Sequence, residues 1–233
     1  PHKKDYDTAA RHLSFWVAEA ESAGDDKTLL LVRNEEMGLY RKIGKRDEAL
    51  ASAEAALALI DRHGLGQLVG SATTFLNAAT VYKAFGMAER SLSLFERARG
   101  VYEKELEEND GRLAGLYNNM ALALVDVGRF EEAFSLYGKA LSIVIAREDG
   151  AADGAVTYLN MASLKEAELG LVEAETTISE YLAKAKDLLE SVEERDGAYA
   201  FVCEKCATVF GYYGYFRYES ELKERARIIY EGT

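Results

Sequence analysis

The sequence predicts an all-α fold, a solenoid of antiparallel helix pairs, on three observations. The glycines Gly44, Gly86 and Gly128 stand 42 residues apart, and Asn119-Met120-Ala121 returns as Asn160-Met161-Ala162. A fixed spacing of this size is the mark of stacked supersecondary units. Between the glycines the apolar residues fall at helical spacing: Tyr117, Met120, Ala121 and Leu124 occupy i, i+3, i+4 and i+7. The only proline is Pro1, so nothing breaks a helix from inside. No alternating β-branched run bounded by turns marks a strand.

Taken in order, 1–4 is polar and expected to fray. A leading helix follows over 5–22, with His12, Phe15, Trp16 and Ala20 on one face. Trp16 is expected to plug the open end of the stack, with a partner contact as the other reading. The first full hairpin spans 27–43 and 47–62, turning at Gly44. His63-Gly64-Leu65-Gly66 separates it from the second, at 67–85 and 88–107. Asn109-Asp110-Gly111, Asp149-Gly150 and Asp196-Gly197 are turn signals between later hairpins at 112–145, 155–189 and 198–230. In the third, Phe130, Ala133, Phe134, Tyr137, Ala140 and Leu141 form the apolar face of its second helix. Its first helix stops at Gly128, because glycine enters the left-handed region without steric cost. Gly170 and Gly214 mark the last two turns. No stretch reads as an interdomain linker, so 1–233 is expected to be a single domain with one continuous core.

The net charge of −12 argues against nucleic acid, whose binding rests on basic contacts to phosphate, and against an anionic membrane surface. It permits a basic partner, and it is also an ordinary route to solubility. No signal peptide opens the chain and no run of about 18 apolar residues occurs. Pro1 rather than methionine comes first, which leaves a removed leader or domain open. Two cysteines three residues apart make no disulfide framework. A reducing, cytoplasmic setting is expected.

The repeat resembles the tetratricopeptide repeat (TPR). Tyr117, Ala121, Leu124, Gly128, Ala133, Tyr137 and Ala140 fall on its positions, as do Phe75, Ala79, Tyr82, Gly86, Ser91, Phe95 and Ala98. The first copy keeps Met37, Tyr40, Gly44, Ala49, Ala53 and Ala56, but has Arg33 where an aromatic is usual. The fifth keeps Cys203, Ala207, Phe210 and Gly214 and is degenerate after its turn. The period of 41 to 42 exceeds the usual 34, and the proline after the second helix is missing. Both departures resemble the long-repeat subclass of kinesin light chains. The resemblance implies a right-handed superhelix whose first helices line a concave face that binds proteins or peptides.

On that face, counting back nine from each turn glycine gives Asn77 and Asn119, and the 41-residue step gives Asn160. Glu35 and Lys205 hold the matching positions of the outer repeats. An asparagine amide both donates and accepts, so it can pair with a peptide backbone whatever its side chains. The alternative is that these asparagines bond to neighbouring helices or to water. Asn118, Lys83, Thr73, Thr80, Arg41 and Ser163 flank them. The two-lysine, arginine and asparagine clamp of some family members is not expected, since Glu35 opposes an anion.

Cys203-Glu204-Lys205-Cys206 lies inside a helix on core positions, so small-residue packing is favoured over redox or zinc chemistry. Tyr212, Tyr213, Tyr215, Phe216 and Tyr218 are expected to close the C-terminal end of the core, with a partner-binding patch as the alternative. No phosphate loop, metal-protease pair or nucleophile elbow is present. The expectation is a peptide-binding scaffold or sensor module, not an enzyme, with no cofactor or metal. The alternatives are an assembly protein that self-associates into a homo-oligomer through its ends, and a thiol enzyme using Cys203 and Cys206.

Overall fold

The structure, a computed structural model, describes residues 5–232; the expectation for 1–4 falls outside them. Every regular element among the described residues is an α-helix: α1 (Tyr6–Ala23), α2 (Asp26–Lys42), α3 (Arg46–Arg62), α4 (Val69–Ala84), α5 (Ala88–Glu105), α6 (Gly111–Asp126), α7 (Phe130–Ile145), α8 (Ala151–Leu169), α9 (Leu171–Ser191), α10 (Gly197–Tyr212) and α11 (Phe216–Gly232). The chain divides into two compact units, one ending at Leu106 and one opening at Glu107.

In the first unit α2 pairs with α3 and α4 with α5, while α1 packs on α2 and α4 on α2. Ala49, Ala53 and Ala56 of α3 are fully buried, and their small side chains let the paired helices approach. Met37, Tyr40, Phe75, Tyr82 and Phe95 fill the space between them. Arg33, which replaces the usual aromatic, donates to Glu36 at 2.8 Å and to Glu21 at 3.0 Å. Glu36 is only 3% exposed and also accepts from Ser52 Oγ at 2.8 Å. A buried carboxylate survives there because both a cation and a hydroxyl satisfy it.

In the second unit the pairs are α6 with α7, α8 with α9 and α10 with α11, and α8 packs on both α6 and α10. Its core runs through Leu116, Tyr137, Leu164, Leu182 and Phe210.

The pairs close by one device. Gly44, Gly86, Gly128 and Gly214 all have positive φ. The residue after each donates back five positions: Lys45 to Tyr40, Met87 to Tyr82, Arg129 to Leu124 and Tyr215 to Phe210, each at 2.9 Å. This satisfies the carbonyls that a helix end leaves open. Gly170 differs. At φ 84 and ψ 160 it ends α8, its N–H donating to the Glu166 carbonyl at 2.8 Å, and it also caps the start of α9. Two turn signals act as helix caps: Asp110 Oδ1 accepts from Arg112 N and Asp196 Oδ1 from Ala198 N, both at 2.9 Å.

Three packing expectations are corrected. Trp16 does not plug the stack: it is 53% exposed, with Phe15 edge-on at 5.6 Å. The buried stripe of α1 is Val17 and Ala20, and Trp16 lies about a quarter-turn off it. Phe134 is not on the core face of α7, which is Ala133, Leu136, Tyr137, Ala140 and Val144; Phe134 lies outside, under the Lys165 ammonium at 5.0 Å. Of the C-terminal aromatics only Tyr218 is fully buried, its ring edge-on to Phe210 at 4.8 Å, while Tyr212 and Phe216 stay exposed.

Candidate functional site

The asparagines form the same hydrogen-bonded unit twice. In the first unit of the chain, Asn34 on α2 donates from Nδ2 to the Leu30 carbonyl at 2.8 Å and to Thr74 Oγ1 at 3.0 Å. Its Oδ1 accepts from Asn77 Nδ2 at 2.8 Å. In the second, Asn118 on α6 donates to the Ala114 carbonyl at 3.2 Å and to Thr157 Oγ1 at 3.0 Å, and accepts from Asn160 Nδ2 at 3.3 Å. Each set ties one first helix to the next, α2 to α4 and α6 to α8. The threonine and the second asparagine stand three residues apart, on one face of the receiving helix.

Asn77 and Asn160 therefore bond to adjacent helices, the alternative to a peptide contact for them, and the flanking Asn118 does the same. Asn119 does not join the ladder. Its Nδ2 donates to the Gly115 carbonyl of its own helix at 2.8 Å, and its Oδ1 has no partner among the described residues. Counting nine from the glycine missed Asn34 and put Glu35, an exposed residue, in its place. The usable signal is the recurrence of an asparagine 42 or 43 residues on, with a threonine three before it: Asn34 to Asn77 after Thr74, and Asn118 to Asn160 after Thr157.

The second unit brings four of the expected site residues to one place. Asn118, Asn119, Asn160 and Lys205 line a groove of about 420 Å³ across α6, α8 and α10. Its apolar surface comes from Leu122, Val156 and Val209, and Gly115 keeps the α6 wall low. Asp153 on α8 also lines it, a residue the sequence reading did not single out. Loss of water holds the Asp153 carboxyl above the usual carboxylate range, while the Arg147 guanidinium pulls it the other way. Lys205 Nζ lies over the Phe201 ring at 4.4 Å.

Other expected residues stand apart from this groove. Asn77 and the half-buried Lys83 belong to the first unit. Thr73 meets Tyr102 Oη at 2.7 Å, and Thr80 donates to the Leu76 carbonyl at 2.8 Å. Cys203 and Cys206 are both buried, and burial pushes the Cys206 thiol up to about 12 and Cys203 in the same direction. A thiolate nucleophile needs the opposite shift. Among the described residues no cluster of His, Cys, Asp and Glu could hold a metal ion, and no helix is long and apolar enough to cross a membrane.

Residues 113–146, most of α6 and all of α7, match the family model of the tetratricopeptide repeat. This is a TPR. Solved structures share the fold over most of the chain. A Podosopora anserina protein described as a kinesin light chain with nearly identical TPR-like repeats has a TM-score of 0.60 and 17% identity, over 86% of this chain and 94% of that one. BtubC (BKLC) from P. vanneervenii has a TM-score of 0.61 and 20% identity, over 99% of this chain and 92% of that one. No curated protein matches the sequence. The all-α TPR-like helical-repeat fold is thus found as the sequence predicts. TPR scaffolds are in general protein-interaction modules.

Proposed function

We propose that this chain is a peptide-binding scaffold whose site is the groove of α6, α8 and α10. The observation that carries the reading is the convergence of Asn118, Asn119, Asn160 and Lys205 on one groove. Asn118 fixes the wall by tying α6 to α8. Asn119 Oδ1 then accepts a backbone N–H of the bound segment, and Asn160 contributes the carbonyl end of its amide. Lys205 stands at the α10 side. Asn77 and Lys83 offer an analogous surface on the first unit. The reading takes 1–233 as one domain, a binding module without chemistry of its own, in a reducing compartment such as the cytoplasm where Cys203 and Cys206 stay free.

Peptide-library selection on the full chain tests it, with the Asn119→Ala/Asn160→Ala variant alongside. Peptides enriched on the wild type and lost on the variant, with helicity unchanged by circular dichroism, are the expected result. Peptides that bind both equally move the site elsewhere.

A second reading is favoured by one observation, the exposure of Phe15 and Trp16 at one end of the sequence and of Tyr212 and Phe216 near the other. It has two copies of the chain meeting through these aromatics. A dimer in sedimentation velocity that Trp16→Ala dissociates would favour it, and a monomer at all concentrations would rule it out.

A further inference from the structure

We propose that two copies of this chain pair through α1, the two helices crossing antiparallel about Phe15, with Arg11 of each copy against Glu19 of the other. This pairing deepens the second reading above, on which it rests, by fixing one face and one register. α1 packs on α2 and buries Val17 and Ala20. At about 100° per residue, Phe15 stands on the side of the helix opposite that stripe, and it is 56% exposed. Trp16 lies edge-on to it at 5.6 Å and is 53% exposed. Two neighbouring aromatics left in water make an apolar patch rather than a lone surface residue.

The residues around Phe15 are complementary to themselves when the helix is reversed. Four before it is Arg11 and four after it is Glu19; seven before it is Thr8 and seven after it is Ser22. Steps of four and seven return to nearly the same side of a helix, so all of these share the face of Phe15. Arg11, Glu19 and Ser22 are exposed there. In a two-fold contact, where one residue meets another, the second also meets the first. With the axis at Phe15, the two Phe15 rings meet, Arg11 meets Glu19 twice and Thr8 meets Ser22 twice. A parallel pairing in register would instead set Arg11 against Arg11 and Glu19 against Glu19. Arg11 donates to Thr8 Oγ1 at 2.9 Å and adds a weak attraction to the Asp5 carboxylate, which Thr8 mainly holds. Glu19 joins no ion pair among the described residues, whereas Glu21 is turned toward Arg33 at 3.0 Å. Exposed ion pairs add little affinity but fix orientation and register, and the aromatics supply the apolar area. α1 has 18 residues, so the contact is small and a dissociation constant of about 10–100 μM is expected.

Sedimentation velocity over a concentration series decides it. The chains compared are the wild type, Arg11→Glu, Glu19→Arg, Arg11→Glu/Glu19→Arg and Tyr212→Ala/Phe216→Ala, each with helicity checked by circular dichroism. The wild type is expected to dimerise. Each single charge variant sets two like-charged pairs in the contact and should dimerise about tenfold more weakly. The charge-swapped double variant should dimerise as the wild type does. An equimolar mixture of the two single variants should dimerise at concentrations where neither does alone. A wild-type dimer that Arg11→Glu leaves intact and Tyr212→Ala/Phe216→Ala dissociates overturns the α1 pairing and leaves the two-copy reading standing. Single variants that dissociate with no rescue by the charge swap overturn the antiparallel register, and the pairing with it. A wild-type monomer at all concentrations overturns both.

Discussion

Asn118 and Asn119 are adjacent in sequence and differ in what they do. Asn118 is bonded on both ends of its amide and joins two helices, whereas Asn119 leaves its oxygen toward the groove. Asn118→Ala should therefore cost about 1–2 kcal/mol of stability in urea unfolding, since it removes two ties and strands Asn160. Asn119→Ala should stay within about 0.5 kcal/mol of wild type and weaken peptide binding instead. Glu36→Ala should cost about 2–3 kcal/mol, toward the low end for a buried pair because Arg33 keeps Glu21. The sign for Cys206 follows from its raised thiol: its stabilisation is whole below its ordinary 9.0 and is lost as pH rises toward about 12. Urea titrations at pH 8 and 10.5 should show a loss that Cys206→Ala reduces. The asparagines were readable as a recurring type in the sequence, but their partners were not. Positions nine and ten before the glycine are only about 100° apart on a helix. Asn118 therefore reads as a neighbour of the row rather than a member of it, and Asn34 is missed. Asp153 has no periodic signature, and only the folding of α8 against α6 and α10 places it in the groove.

At the scale of the element, glycines mean opposite things in a turn and in a helix. Gly128 has φ +74, so Gly128→Ala should cost about 1–2 kcal/mol through left-handed strain. Gly115 lies within α6, and a Cβ there meets nothing within 4 Å. Gly115→Ala should raise stability by about 0.5–1 kcal/mol, and thermal unfolding of the two variants checks the contrast. Turns and pairings were readable because glycine and the 3.6-residue period report local geometry. The errors came where an aromatic residue sits beside the buried stripe. Trp16 is next to Val17 and Phe134 next to Ala133, and composition alone does not say which of two neighbours turns inward.

At the scale of the whole molecule, repetition explains why so much of the fold is visible in one sequence. Each pair depends on near neighbours only, so a 42-residue pattern dictates the architecture. The proposed site lies at departures from the repeat, such as Lys205 and the open wall at Gly115. If 1–233 is one domain, urea unfolding followed by circular dichroism and by Trp16 fluorescence should give coincident transitions. The central claim is that the groove of α6, α8 and α10 holds the ligand. Calorimetric titration of a selected peptide into Gly115→Leu tests it most directly, because the new side chain enters the groove from a position with room for it. The account predicts a stably folded variant whose binding falls at least tenfold. Undiminished binding by that variant would contradict it.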